Sequence, residues 1–247
     1  MTLRAVALIG ALVAGPGERA AALSCSQTAF EAVRYTLCEV DATDDLRLFL
    51  AGPDGVYGQF SAVDRALAVE GGQLAFAMNA GMFHRDLSPV GLYVEEGVEI
   101  APLITRDVPD NFGLLPNGVF CIRPDGRFAV VESRRFAKRR PQCRFATQSG
   151  PMLVIGGDLH PAFIATSTSL NIRNGVGVSP DGARAVFAIS DAPVNFHSFA
   201  RFFRDELGLR DALFLDGSIS RLYAPMLNRR DGGFAVGPIV GVVEPKG

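Results

Sequence analysis

Short apolar runs bounded by glycine, Asp or Asn recur along this chain, and they constrain its fold more than any other feature of the sequence. Gln73–Met78, Gly118–Ile122, Ala185–Ile189 and Ala212–Leu215 are each four to six residues long. Apolar runs of this length between turn residues are typical of buried strands, because helices of globular proteins are usually longer. The sequence therefore predicts a protein with more strand than helix.

Hairpin turns connect several of these strands. Val90–Val94 and Val98–Leu103 flank one glycine-containing turn, and Gly118–Ile122 and Phe128–Val131 flank another. Short strands joined by tight turns pair in an antiparallel manner, since a parallel connection needs a long crossover. We expect antiparallel sheet in the middle of the chain.

Two segments have the pattern of helices. Ser61–Glu70 begins with a residue that can cap a helix, has Asp64 at the capping-box position and is followed by two glycines. Asn195–Leu207 carries phenylalanines at helical spacing behind the capping residue Asn195. That aromatic stripe predicts a helix packed against the core.

Composition limits the class of protein. The 247 residues are 48% hydrophobic and 20% charged, carry a net charge of −2, and contain neither an internal repeat nor a linker. This balance does not indicate a nucleic-acid partner, and the absence of Trp leaves Phe and Tyr to contact any sugar. The sequence predicts one α+β domain with a mixed and largely antiparallel β-sheet and a few packed helices.

The N-terminus has the pattern of a secretory signal peptide. Arg4 is followed by the apolar run Ala5–Val13 and then by small residues, which predicts a signal peptide at 1–24 and a domain at 25–247. A buried N-terminal helix is the alternative. The apolar run is too short to span a bilayer, so we expect an exported protein, periplasmic or extracellular, with no transmembrane segment in the mature chain.

Four cysteines agree with export into an oxidising compartment, and they allow three pairings. We favour Cys25–Cys38 and Cys121–Cys143, because each pair brackets adjacent segments. An alternative concerns Cys25, which follows a weak lipoprotein-type processing sequence; lipidation there would leave Cys38 unpaired.

Arg134–Arg144 holds six basic residues, the densest charge run of the chain. Such runs are usually solvated loops, which is the interpretation we favour. The alternative is that the run raises the local potential and attracts an anionic substrate.

Polar side chains recur where apolar strands end, often next to a glycine. Familiar nucleotide-binding, serine-hydrolase and zinc-protease motifs are missing from the sequence, and the three histidines have no metal-ligand spacing. A set of strand-end groups is typical of a site built on a rigid sheet. The residues in this set are Asn79, Ser149, Arg173, Asp191, Asp216 and Ser218.

Four motifs, in this order, resemble the phosphodiester glycosidase family, which includes the uncovering enzyme, N-acetylglucosamine-1-phosphodiester α-N-acetylglucosaminidase. The motifs are N-A-G-M-F at Asn79–Phe83, S-G-P-M-L-V at Ser149–Val154, R-N-G-V-G-V-S-P-D-G at Arg173–Gly182 and A-L-F-L-D-G-S at Ala212–Ser218. The resemblance implies the fold of that family and hydrolysis of a sugar-1-phosphodiester of an exported or cell-envelope glycan. Three departures are Asn174, where the family usually has Thr, Ser190–Ala192, where it usually has V-D-G, and Ser218–Ser220, where it usually has more glycine.

The residue types fit that chemistry. A phosphomonoester is a fair leaving group, so the site needs an anion clamp and a carboxylate at the anomeric carbon. We assign the clamp to Arg173, the nucleophile or base to Asp216 and its partner to Asp191. Substrate binding is assigned to Asn79, Gly81, Ser149, Gly150, Gly217, Ser218 and His197.

No resident cofactor is expected, although a divalent cation held by Asp191 and Asp216 would make the chain a metal-dependent phosphodiesterase. A second alternative is a non-catalytic envelope protein that binds a glycan with the same fold. A sugar-phosphate ligand is expected in each case, and the oligomeric state does not follow from the sequence.

Overall fold

The computed structural model describes residues 23–106, 111–216 and 219–246. The predicted leader, residues 1–24, falls almost wholly outside these ranges. Three α-helices are described: α1 (Phe60–Val69), α2 (Ser133–Arg139) and α3 (Phe196–Arg201). A π-helical turn, Phe202–Glu206, extends α3, and 3-10 turns cover Asn111–Gly113 and Pro225–Leu227.

Strands dominate the structure, as the sequence predicts. The described strands are β1 Ser24–Phe30, β2 Val33–Asp41, β3 Asp45–Phe49, β4 Ala51–Gly52, β5 Gly55–Val56, β6 Gly72–Asn79, β7 Tyr93–Glu95, β8 Val98–Ala101, β9 Gly118–Ile122, β10 Phe128–Glu132, β11 Phe145–Ser149, β12 Met152–Ile155, β13 Asp158–Leu159, β14 Asn174–Val178, β15 Arg184–Ser190, β16 Asp211–Asp216, β17 Leu222–Ala224, β18 Arg229–Arg230 and β19 Ile239–Pro245.

These strands form three larger sheets and one two-stranded ribbon. The seven-stranded sheet has the order β1-β2-β15-β14-β16-β12-β13, and the five-stranded sheets have the orders β10-β9-β11-β7-β8 and β18-β17-β6-β19-β3. Every pairing between described strands is antiparallel. The α+β class is confirmed, and the sheet predicted as mixed contains no parallel pair among the described strands.

The core lies between the three sheets, and each helix covers an outer face. The central cluster includes Phe76, Phe120 and Phe187, one from each sheet, and all three are buried. On the far side of the seven-stranded sheet, the phenylalanines of α3 and its π-turn pack in a second cluster. Helices α1 and α2 cover the outer faces of the two five-stranded sheets. The aromatic stripe is therefore core, as expected, and Asn195 caps α3 by accepting a hydrogen bond from Ser198 N.

The predicted capping of α1 is wrong. The helix begins one residue earlier, at Phe60, and its N-cap is Gln59, whose side chain makes no capping hydrogen bond. Asp64 instead accepts a hydrogen bond from the backbone N–H of Leu74 at 2.8 Å, which ties α1 to β6. A tertiary contact has replaced the local one, because the helix is held by its buried face rather than by its cap.

The interpretation of Arg134–Arg144 as a loop is wrong for its first half. Ser133–Arg139 form α2, because the Glu132 carboxylate accepts hydrogen bonds from the N–H groups of Arg134 and Arg135 and so caps the helix. Phe136 anchors the helix in the core while the basic side chains stay exposed.

Both expected disulfides, Cys25–Cys38 and Cys121–Cys143, are present.

Candidate functional site

Asp216 ends β16 beside a β-bulge. Asn174 of β14 lies opposite Asp216, whereas the next residue, Gly175, lies opposite Phe214, so Leu215 has no partner in β14. Phe214 packs on the α3 side of the sheet. Because the bulge adds one residue to β16, the Asp216 side chain is turned instead towards β6 of another sheet.

The Asp216 carboxylate is buried and hydrogen-bonded to an amide. Asn79 Nδ2, at the end of β6, donates to Asp216 Oδ2 at 2.9 Å and to the carbonyl of Ile219 at 2.6 Å. The Asp216 residue is 6% exposed. An amide can orient a carboxylate through a hydrogen bond but does not transfer a proton to it. Asn79 therefore positions Asp216 without neutralising its charge.

Asn174 and Arg221 complete the hydrogen bonds of Asn79. Asn174 Nδ2 donates to the carbonyl and to Oδ1 of Asn79, at 2.9 and 3.2 Å, and Arg221 N donates to the same Oδ1 at 2.8 Å. Ser220 Oγ donates to the carbonyl of Ile172 at 3.0 Å and lies 3.4 Å from Asn174 Oδ1. We call Asn79, Asn174, Asp216 and Ser220 the strand-end network; it joins the seven-stranded sheet to β6.

Arg173 lies next to this network but faces the other way. Consecutive residues of extended chain point to opposite sides, so Asn174 meets Asn79 while the Arg173 guanidinium lies 3.6 Å from the ring centroid of Phe196. Arg173 Nε donates to the carbonyl of Val194 at 2.8 Å, and Nη2 donates to that of Ser169 at 3.1 Å.

Among the residues that the structure describes, the buried Nη1 of Arg173 makes no hydrogen bond, although Arg173 is only 1% exposed. Desolvation lowers the pKa of this guanidinium to about 10. A buried cation with an unpaired N–H is costly, and an anion that reaches Nη1 would offset that cost.

Asp191, predicted to be the partner of Asp216, is held in a separate ion pair. Arg229 Nη1 donates to Asp191 Oδ1 at 2.6 Å, and Thr36 Oγ1 lies 3.2 Å from both oxygens of the same carboxylate. Arg229 also pairs with Asp231 at 3.0 Å. This cluster connects β2 and β15 with β18 and does not contain Asp216.

Three residues that the sequence assigns to substrate binding make close contacts within the protein itself: Ser149, Gly81 and Gly150. Ser149 Oγ donates at 2.6 Å to the carbonyl of Leu215, the residue left unpaired by the bulge. A Cβ on Gly81 would lie 2.7 Å from the carbonyl oxygen of Gln148, and one on Gly150 would lie 2.6 Å from Asn117 Cβ. Ser149 thus ties the end of β11 to β16, and the two glycines allow close packing against β11 and Asn117.

Two candidates, Gly217 and Ser218, lie outside the described residues. His197 is half-buried on the first turn of α3. A groove of about 910 Å³ between α2 and the β7–β8 hairpin is lined by none of the candidate residues. The candidate site is a buried polar cluster at strand ends, apart from that groove.

Sequence reasoning missed Asn174, Ser220 and Arg221 as members of the site. Asn174 directly follows Arg173, and Ser220 and Arg221 follow the strand-ending Asp216 by a few residues. Their position beside polar residues already singled out was the available signal. Asn79, the partner of Asn174 and Arg221, lies 95 and 142 residues away from them, and sequence alone does not show these contacts.

Comparison with known proteins agrees with this architecture. The family model of the phosphodiester glycosidases matches residues 72–243. The chain belongs to the phosphodiester glycosidase family. The match runs from β6 to β19 and includes all four residues of the strand-end network.

Among curated proteins, the chain is similar to the uncharacterized protein YigE of Escherichia coli strain K12, with 38% identity over 152 residues. That alignment covers 62% of this chain and 59% of the relative, which is less than two thirds of its length.

Two solved structures have the same fold. The catalytic domain of zebrafish N-acetylglucosamine-1-phosphodiester α-N-acetylglucosaminidase, auto-inhibited by its pro-peptide, matches with a TM-score of 0.59 and 15% identity, over 89% of this chain and 81% of that one. A hypothetical protein from Synechocystis matches with a TM-score of 0.61 and 14% identity, over 90% and 62%. At this identity the likeness concerns the fold.

Proposed function

We propose that this phosphodiester glycosidase family member is a hydrolase that cleaves a sugar-1-phosphodiester of an exported or cell-envelope glycan. The observation that carries the proposal is the buried Asp216 carboxylate, held by Asn79 beside an Arg173 whose Nη1 is unpaired in the described structure. Family membership and the named activity of the zebrafish enzyme support the same reaction class.

In this proposal Asp216 acts at the anomeric carbon as nucleophile or base. Its orientation is set by the amide of Asn79, and its burial keeps water from competing for the carboxylate oxygens. A positioned carboxylate is what glycosidic bond cleavage requires, whether the configuration is retained or inverted.

Arg173 receives the phosphate in this proposal. Two of its nitrogens are bound to carbonyls, so the guanidinium is held rigidly and Nη1 is left for an oxygen of the leaving phosphomonoester. Arg173 and Asp216 lie at the ends of neighbouring strands but face opposite sides of the sheet, so the substrate in this proposal spans the strand ends, with its phosphate at Arg173 and its sugar at Asp216. Charge that develops on the leaving group is then stabilised by a preorganised cation.

We propose Asp191 as the second carboxylate. It can exchange a proton only after its ion pair with Arg229 opens or after Arg229 moves to the substrate. Gly217, Ser218 and His197 remain proposed contacts of the substrate.

The decisive experiment combines a panel of sugar-1-phosphodiesters with Asp216→Asn. We expect the wild-type protein to release sugar and phosphomonoester, and the variant to lose at least about 100-fold in kcat while the dissociation constant for substrate changes little. The exposed Asp158 provides a matched control, because Asp158→Asn makes the same chemical change away from the site. Wild-type turnover by Asp216→Asn would refute the assignment.

The two alternatives have their own tests. In the ranges that the structure covers, no group of three or more His, Cys, Asp or Glu residues is arranged to hold a metal ion, so no observation favours the metal-dependent phosphodiesterase. Turnover abolished by a chelator and restored by a divalent cation would support the metal-dependent phosphodiesterase.

Binding of sugar phosphates without turnover of any panel member would support the non-catalytic protein.

Export to the periplasm or the extracellular space is part of the proposal. Two disulfides support it, since such bonds persist in oxidising compartments, and Cys25 is bonded to Cys38 rather than free for lipidation. No helix in the described part of the chain is long and apolar enough to cross a membrane. Cell fractionation, with a thiol count on the recovered protein, tests this part.

A further inference from the structure

A second recess lies at the far ends of the strands that carry the candidate site. It has a volume of about 310 Å³, and Val178 and Asp211 are among its lining residues. These residues pair with each other at one end of β14 and β16, whereas Asn174 and Asp216 pair at the other. Asp216 follows Asp211 by five positions along β16, so the recess is about 17 Å from the candidate site.

Three arginines from two elements border this recess. Arg135 and Arg139 are one turn apart on α2, and Arg123 comes from the turn between β9 and β10. Residues four apart on a helix share one face, which is why both α2 arginines reach the same recess. None of the three side chains has a hydrogen-bond or ion-pair partner within the described ranges. We call Arg123, Arg135 and Arg139 the arginine recess.

The carboxylates that also line the recess are bound by local donors. Both oxygens of Glu132 accept hydrogen bonds from the first turn of α2. Asp181 Oδ1 accepts from Ser179 Oγ and Ala183 N, at 2.6 and 3.0 Å, and Asp211 Oδ1 accepts from Gly156 N at 3.0 Å. Since these carboxylates are engaged locally, the guanidinium groups keep their donors for a ligand.

The surface around the recess is positive although the chain as a whole is negative. The segment from Arg123 to Arg140 holds seven basic and two acidic residues. With Asp181 and Asp211 of the recess included, the local net charge is +3, against −2 for the whole chain. The fold creates this concentration, because it brings the β9–β10 turn next to α2.

We propose that the arginine recess binds phosphate groups of an anionic polymer; that this polymer is a glycan chain with repeated phosphodiesters rests on the proposed function. Guanidinium groups bind phosphate oxygens in a bidentate manner, and three of them around a concave surface suit a tetrahedral anion better than a flat surface does. A chain with repeated phosphates can contact the neighbouring basic side chains as well. The inference concerns binding alone and stands whether or not the chain is a hydrolase.

A membrane surface is the competing source of phosphate groups. Peripheral proteins that bind anionic lipids usually add exposed apolar side chains to their basic surface. None of the large exposed hydrophobic side chains among the described residues lines the recess. The concave shape and the absence of apolar anchors in that lining favour the polymer.

The test measures binding of inorganic polyphosphate to wild-type protein and to Arg135→Gln/Arg139→Gln at low salt. We expect the double variant to bind at least about tenfold more weakly, and added salt to weaken the wild-type complex because the charges are exposed. Arg65→Gln/Lys246→Gln removes the same charge from exposed positions elsewhere and is the matched control. It should retain wild-type affinity.

A variant outside α2 and a second ligand test the arginine recess independently. Arg123→Gln, in a turn outside α2, should weaken binding even if the α2 variant is poorly folded, which circular dichroism will show. Equal losses in the recess and control variants, or no polyphosphate binding by the wild type, would overturn the proposal. Binding to anionic lipid vesicles without binding to polyphosphate would overturn it in favour of a membrane surface.

Discussion

At the scale of single residues, close packing explains the glycines beside the candidate site. Gly81 follows the strand-end Asn79 by two residues and lies against β11, where a Cβ would come within 2.7 Å of the Gln148 carbonyl oxygen and closer still to Thr147 Oγ1. The sequence suggested that this glycine binds substrate. The structure gives this glycine a steric role, because backbone atoms of β11 cannot move without disturbing the sheet, and its contact with substrate stays a proposal.

Gly81→Ala tests that steric reason. We expect it to lower the free energy of unfolding by about 1–3 kcal/mol, as overpacking does in a closed interior. Gly232→Ala is the control, since a Cβ there meets nothing within 4 Å. Urea denaturation measures both variants. Equal stability of the two would show that the Gly81 contact relaxes without cost.

His160 is a buried titratable residue outside the candidate site. Its Nδ1 accepts a hydrogen bond from Ala162 N at 3.2 Å, its ring stacks on Phe163, and burial lowers its pKa below the ordinary value of 6.5. The unfolded chain therefore binds a proton first as the pH falls. The contribution of His160 to stability is complete above pH 6.5 and is lost as the pH drops towards the folded-state pKa.

His160→Gln removes this titration. We expect the variant to lose less unfolding free energy than the wild type between pH 7.5 and about pH 5.5. Urea denaturation at the two pH values gives the difference, and the exposed His84, changed to Gln, is the control. An unchanged pH dependence in His160→Gln would assign the effect to other groups.

At the scale of elements, the bulge in β16 turns an ordinary strand end into a site. An uninterrupted strand would direct Asp216 to the same side as Phe214, towards α3. The extra residue, Leu215, directs the carboxylate to Asn79 and leaves a carbonyl that Ser149 binds. Ser149 is therefore a positioning residue for Asp216 in our interpretation.

Ser149→Ala measures the importance of that hydrogen bond. Loss of the hydroxyl leaves the buried Leu215 carbonyl without this donor, and we expect about 1–3 kcal/mol less unfolding free energy. If Ser149 positions Asp216, kcat on a cleaved sugar-1-phosphodiester falls while the KM stays close to the wild-type value. Ser149→Thr, which keeps the hydroxyl, should recover part of the kcat. A kcat unaffected by Ser149→Ala would limit Ser149 to a structural role.

At the scale of the whole molecule, three sheets share one core and the helices cover their outer faces. Each of the two disulfides includes one fully buried cysteine, Cys38 or Cys121. Cys25–Cys38 joins the edge strand β1 to β2, and Cys121–Cys143 joins β9 to the segment after α2. They close loops of 13 and 22 residues. By closing these loops, both disulfides restrict the unfolded chain.

Removing Cys121–Cys143 by the double change to Ala should lower the unfolding free energy by about 2–4 kcal/mol, from the entropy returned to the unfolded chain. Thermal or urea unfolding of the purified protein measures this loss of stability.

Thiol labelling of the unreduced wild type should find no free cysteine, and labelling after reduction should find four. A free thiol in the unreduced protein would contradict the pairing.

The sequence by itself determined the α+β class, most strand positions and the family resemblance, and it favoured, among three possible pairings, the disulfides that the structure contains. These follow from local signals: the length of apolar runs, glycine turns, and motif order. Strand ends such as Asn79 and Asp216 were visible for the same reason, because a polar residue after an apolar run marks where a strand leaves the core.

Only the tertiary structure decided which polar residues meet. Asn79 contacts Asn174 and Asp216, whereas Asp191 pairs with Arg229. Arg173 faces the opposite side of the sheet from Asn174. Arg123 lies beside Arg135 and Arg139. The physical reason is that these contacts depend on sheet order, strand register and a one-residue bulge. Each of these is set by long-range packing, which a local pattern does not encode.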